Sequence, residues 1–134
     1  MSESVAHAGC VLVVDDDDDV RETLRDVVES EGCAALLAAN GREALDMLAK
    51  HRPCLIILDL MMPVMNGTEM LAVLQKDAAL STLPVVISTS APHLAPRGVP
   101  VLPKPIDLTR AWDIIHATCH CRYEAPRRSP RDLE

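Results

Sequence analysis

The 134-residue sequence has no phenylalanine, one tryptophan (Trp112) and one tyrosine (Tyr123). Its core must be aliphatic, built from Val, Leu, Ile, Met and Ala, and nucleic-acid binding by stacking of bases on aromatic rings is excluded. A surplus of positive charge is also missing. Lys and Arg number 13 against 20 Asp and Glu, a formal net charge of −7, which argues against a sequence-independent binder of DNA or RNA. No apolar run is long enough to span a bilayer. The opening MSESVAHAGC has no basic stretch leading into an apolar one, so no secretion signal is read. The cysteines are Cys10, Cys33, Cys54, Cys119 and Cys121. An odd count without a leader reads as reduced thiols in a cytoplasmic protein.

What is present fits one folded domain. The chain is 49% apolar and 25% charged, typical of a globular protein of this length. Cys10 to Val14 (CVLVV) is a short apolar run, as expected of a strand buried on both faces in a parallel sheet. Val20, Leu24, Val27 and Val28 follow at helical spacing, with Gly32 at a plausible stop. Cys33 to Ala39 reads as a second strand. Asn40 and Gly41 lead into a helix carrying Ala44, Leu45 and Leu48, which stops before Pro53. Cys54 to Leu58 (CLIIL) is the clearest strand and Asp59 closes it. Asn66 caps a helix with Met70, Leu71 and Leu74. Leu83 to Ser88 and Pro100 to Leu102 are further apolar runs, and Asp107 caps a last helix bearing Leu108, Ala111, Ile114 and Ile115.

Strands alternating with helices imply right-handed crossovers and a parallel sheet covered on both faces. Five strands in this length predict an α/β, flavodoxin-like, doubly wound sheet of order 2-1-3-4-5. Residues 9–122 form the domain in this reading. Residues 1–8 and 123–134 read as flexible tails, the latter rich in Pro and Arg.

In such sheets ligands bind beyond the carboxyl ends of the strands, at the reversal of strand order. The first strand ends in Asp15 and Asp16, the third in Asp59, the fourth in Ser88, Thr89 and Ser90, the fifth in Lys104. Three carboxylates brought together require a cation, and an all-oxygen site with room for water suits Mg²⁺. A lysine and a hydroxyl opposite the metal suit an anion with several oxygens, which together describe a phosphoryl site. Asp59 can then act as a nucleophile and become an aspartyl phosphate.

VLVVDDDDDVRETL, LIILDLMMPVMNG, PVVISTSA and LPKP, in this order and at these intervals, resemble the receiver domain of two-component response regulators over about Cys10 to Cys121. The resemblance implies that Asp59 accepts a phosphoryl group from a histidine kinase or a histidine phosphotransfer protein. It implies that Asp16 binds Mg²⁺ directly, that Asp15 does so directly or through water, and that Asp59 and the backbone carbonyl of Met61 complete the protein ligands. Thr89 would be the switch hydroxyl, with Ser88 the second choice, and Lys104 would pair with a phosphoryl oxygen. A cis peptide bond before Pro105 is also implied. The expected partners are the phosphodonor and a downstream effector protein, with no direct nucleic-acid contact and no membrane. The expected chemistry is self-phosphorylation and autodephosphorylation only. No output domain is expected after residue 121, so the signal would pass by protein contact or onward phosphotransfer, unless the chain is a fragment and its tail the start of a linker.

Other residues read more plainly. Asp17, Asp18 and Asp19 fit the acidic start of a helix. His116, Cys119, His120 and Cys121 could form a soft-metal cluster, but lack the paired spacings of zinc sites. The sequence departs from the family at Val101 and Ile106, where aromatic residues are usual. It departs again between Thr89 and Lys104, where Pro92, Pro96, Pro100 and Pro103 leave room for a loop or one short turn instead of a fourth helix. Two rival readings follow. One is a pseudo-receiver that binds partners without being phosphorylated. The other is a small haloacid-dehalogenase-like phosphatase, whose first motif Asp16-x-Asp18-x-Val20 weakly imitates.

Overall fold

The computed structural model describes residues 10–118. Its elements run β1 (Cys10–Val14), α1 (Asp18–Ser30), β2 (Ala34–Ala38), α2 (Gly41–Leu48), β3 (Leu55–Asp59), α3 (Gly67–Lys76), β4 (Val85–Thr89), β5 (Val101–Pro103) and α4 (Leu108–Thr118). The strands form one parallel sheet of order β2-β1-β3-β4-β5, the expected doubly wound arrangement. The two tails lie outside the described residues.

Side-chain alternation sorts the core into two layers. Val11, Val13, Leu55, Ile57, Val86 and Leu102 face one side, with Leu24 and Val28 of α1 and Ala111 and Ile115 of α4. Leu12, Val14, Ile56, Leu58 and Ile87 face the other, with Ala44 and Leu48 of α2 and Met70, Leu71 and Leu74 of α3. Every residue of β1 and β3 is buried, which explains why these two segments read as unbroken apolar runs. Burial of each such side chain contributes about 1.5–3 kcal/mol, and this anchoring fixes the polar residues at the strand ends.

The helix starts follow from local chemistry. The Asp17 side chain accepts from the amides of Asp19 and Val20. Asn40 accepts from Glu43 N, and Asn66 forms a reciprocal capping box with Glu69. Asp107 accepts from Arg110 N. Gly32 ends the α1 region at φ +85°, where a side chain would be strained.

Some strand limits differ from the sequence reading. β4 begins at Val85, not Leu83, because Leu83 closes a short 3₁₀ turn over Leu80–Thr82, and it extends to Thr89. β3 starts one residue late and includes Asp59, while β5 runs from Val101 to Pro103. Residues 90–100 hold one 3₁₀ turn, Pro92–Leu94, and no α-helix, as the prolines predicted. No described helix is long and apolar enough to cross a membrane.

The cysteines are not all the reduced thiols expected from their count. Cys54, just before β3, is disulfide-bonded. An odd total bars complete pairing but is compatible with a bridge, so the count alone could not settle the state of any one cysteine.

Candidate functional site

The site is built at the carboxyl ends of β1, β3, β4 and β5. Asp15 follows β1 directly and is 1% exposed. Its Oδ1 accepts from Asp17 N at 2.9 Å, its amide donates to Ala38 O, and its carbonyl accepts from the Arg21 guanidinium at 2.6 Å. Asp59 ends β3, is buried, and accepts from Met61 N at 3.2 Å through Oδ1. Asp16 is exposed. One carboxylate oxygen from each of Asp15, Asp16 and Asp59 lies within 4.8 Å of the others.

Lys104 follows β5 and brings the counter-charge. Its Nζ lies 2.8 Å from Asp15 Oδ2 and 3.5 Å from Asp59 Oδ2. Its backbone amide donates to Thr89 O at 2.9 Å, so the end of β4 holds the lysine in register. The Lys104–Pro105 bond is cis, as the resemblance implied. Thr89 is fully buried, and its Oγ1 accepts from Ala91 N at 3.0 Å.

The electrostatics are unbalanced. Burial raises the Asp59 pKa above the usual carboxylate value, and the Asp15 charge adds to the rise; the Met61 amide and Lys104 oppose it, and Asp16 adds a smaller rise. Burial works against charging Lys104, but the hydrogen bond to Asp15 and the charges of Asp15 and Asp59 outweigh it and lift its pKa. One ammonium among three carboxylates leaves net negative charge. Hard oxygen donors clustered at this spacing, two of them buried, fit a divalent cation such as Mg²⁺.

The loop after β3 shapes the rim. A Cβ on Gly67 would lie 2.2 Å from Asp59 O and 2.9 Å from Leu60 Cα, so only glycine lets α3 start this close to the site. Met65 N donates to Pro63 O at 2.8 Å across Val64, which has φ +69°, the strained hand of a three-residue turn. Met65 O accepts from Gly41 N at 2.9 Å, tying this loop to α2. Met61 and Val64 are exposed at 61% and 81%.

Several sequence candidates take other roles. Asp17 is a helix cap, and Asp18 pairs with Arg21. Asp18 is thus not among the clustered carboxylates, whereas Asp59, which the phosphatase alternative left without a role, is one of them. Of the suggested soft-metal cluster only His116 is described. It stacks on Trp112, ring centroids 4.7 Å apart, and its Nδ1 contacts the fully buried carboxylate of Glu31. Cys119, His120 and Cys121 lie outside the described residues. Glu31 was missed in the sequence because nothing local distinguishes it from other helix-end glutamates. A separate cavity of about 340 Å³ between Leu74, Leu80, Val86 and Val99 has no titratable lining residue among the described ones.

Fold and site together define a doubly wound α/β protein with an acidic, lysine-bearing pocket at its strand-order reversal. The chain matches the family described as response regulator receiver domain over residues 11–111, and it belongs to that family. It is 38% identical over 105 residues to the response regulator MprA of Mycolicibacterium vanbaalenii, covering 73% of this chain and 45% of that protein. It is 43% identical over 81 residues to the response regulator Rre1 of Synechocystis, covering 60% and 35%. The chain thus spans less than half the length of these two curated relatives. Among solved structures, the chemotaxis response regulator CheY4 of Vibrio cholerae superposes with TM-score 0.73 at 27% identity, covering 82% of this chain and 98% of that one. The receiver domain of Francisella response regulator 1452 gives TM-score 0.71 at 25% identity, covering 82% and 95%. Family membership replaces the phosphatase alternative.

Proposed function

We propose that this receiver accepts a phosphoryl group on Asp59 from a histidine kinase or histidine phosphotransfer protein and thereby switches a protein-binding surface. The observation that carries the proposal is the meeting of three carboxylates within 4.8 Å with the Lys104 ammonium beside two of them. A carboxylate oxygen of Asp59 attacks phosphorus, the P–N bond to the donor imidazole breaks, and its electron pair returns to nitrogen. Bound Mg²⁺, held by Asp15, Asp16, Asp59 and the Met61 carbonyl, would neutralise charge on the transferred group.

Lys104 is positioned to exchange part of its contact with Asp15 and Asp59 for a phosphoryl oxygen. The Thr89 hydroxyl would turn toward the same group, and its hydrogen bond with the Ala91 amide couples that turn to the β4–β5 connection. Water attacking phosphorus would later release phosphate and restore Asp59. The chain would act on no outside substrate, work in the cytoplasm, and signal to an effector protein without contacting nucleic acid or membrane.

Intact mass after incubation with acetyl phosphate and Mg²⁺ tests this. The expected result is a gain of one phosphoryl group, lost on chelation and in Asp59→Asn. No gain from acetyl phosphate or from any histidine kinase, in a folded sample, would favour a binding module that carries no phosphate.

A further inference from the structure

The strand register sets Ser88 of β4 opposite Asp59 of β3 on one side and Leu102 of β5 on the other. Alternation continues Val86 to Ser88, Ile57 to Asp59 and Leu102 to Lys104, so these three polar residues share a face of the sheet. Thr89, one residue on, belongs to the opposite face. Ser88 is 1% exposed, and its Oγ has no hydrogen-bond partner among the described residues.

A buried hydroxyl without a partner is costly. Val86 and Leu102 beside it belong to an aliphatic cluster, and an Ala or Val at position 88 would suit that cluster without the cost. The hydroxyl nevertheless lies one strand from Asp59, on the face that also carries Lys104. Its Oγ neither donates nor accepts among the described residues, whereas Thr89 Oγ1 accepts from Ala91 N and keeps its own O–H.

We propose that Ser88 is a second hydroxyl of the site: idle while Asp59 is bare, it donates to an oxygen of the group that Asp59 carries. The inference rests on the phosphoryl-accepting reading above. It makes Ser88 a binding residue for the modified state alone, so deleting its hydroxyl weakens the modified state and relieves the unmodified one.

The test uses the full chain with Mg²⁺ and beryllium fluoride, which caps a carboxylate oxygen with the tetrahedral shape of a phosphoryl group. Ser88→Ala is expected to weaken beryllium fluoride binding about tenfold. Ser88→Cys keeps the volume but has only a weak donor, and is expected to lose a similar factor. Mg²⁺ affinity without beryllium fluoride should stay unchanged, and unliganded Ser88→Ala should melt at or above the wild-type temperature. Equal affinity in Ser88→Ala and wild type would overturn the proposal. So would wild-type affinity in Ser88→Cys alone, which would assign the effect to volume, or a lower Tm with weaker Mg²⁺ binding, which would make Ser88 purely structural. If the wild type takes up neither beryllium fluoride nor a phosphoryl group, the phosphoryl-accepting reading itself falls, and Ser88 with it.

Discussion

The Lys104 ammonium lies 2.8 Å from Asp15 Oδ2, across 89 residues of sequence, and 3.5 Å from Asp59. The lysine therefore pairs most closely with the carboxylate at the end of β1. Asp15 is buried and Lys104 only partly so, and removing the cation strands a charge that water cannot reach. Its raised pKa places this contribution fully below the ordinary lysine range; it is lost only as pH climbs through the raised value. At neutral pH, Lys104→Met should cost about 2–3 kcal/mol, on the order of 10 °C in Tm. Thermal melts in chelator read this, and an unchanged Tm would refute it.

Asp59 has the opposite sign. Burial and the Asp15 charge raise its pKa in the folded state, so the native protein holds this proton more tightly than the unfolded chain. Stability falls as pH rises from the usual carboxylate value through the raised one, and the full cost is present above it. In metal-free buffer at pH 7, Asp59→Asn should therefore be more stable than wild type by about 1 kcal/mol. The advantage should vanish as pH drops into the carboxylate range. Melts across pH 4–8 give the answer, and a less stable variant at pH 7 would contradict it.

Gly67→Ala places a methyl 2.2 Å from the Asp59 carbonyl, against backbone that cannot turn aside. We expect a loss of about 3 kcal/mol and slower phosphoryl uptake at Asp59. Gly98→Ala is the control: φ is +83° but, its own chain neighbours aside, no atom of the described residues lies within 4 Å of the added carbon, so it should cost about 1–2 kcal/mol and leave uptake alone. Denaturant unfolding with mass-detected phosphorylation separates the two.

Val64→Asn should stabilise. The valine is 81% exposed, so little packing is lost, and it occupies φ +69°. Asparagine tolerates that region better, by about 1 kcal/mol. A lower denaturant midpoint in the variant would show that Val64 is not strained.

Much of this was legible because it is local. CVLVV and LIILD announce strands buried on both faces, Asn66 with Glu69 announces a capping box, and closely spaced prolines announce a connection without a helix. The site was legible as a list of strand-end residues because topology alone decides which ends meet. What stayed hidden depends on separation or on a single atom. The contact of Glu31 with His116 joins residues 85 apart, the Cys54 bridge depends on proximity and not on cysteine count, and the approach of Gly67 to Asp59 is a matter of ångströms. The isolation of the Ser88 hydroxyl depends on strand register and on what its neighbours fail to offer, neither of which a residue letter encodes.

The connection between β4 and β5 also bears on how the chain folds. Residues 90–100 join two parallel strands with a span near the lower limit for such a crossover, and Pro92, Pro96 and Pro100 already restrict its backbone. Closing a short, stiffened loop costs the unfolded chain less entropy than closing a long one. The strand carrying Thr89 and the strand leading to Lys104 thus form one of the more local pairings in the sheet, and local contacts favour fast folding. The hydroxyl and the ammonium of the site are set relative to each other by chain economy, across a shorter closure than those that bring the carboxylates of β1 and β3 beside them.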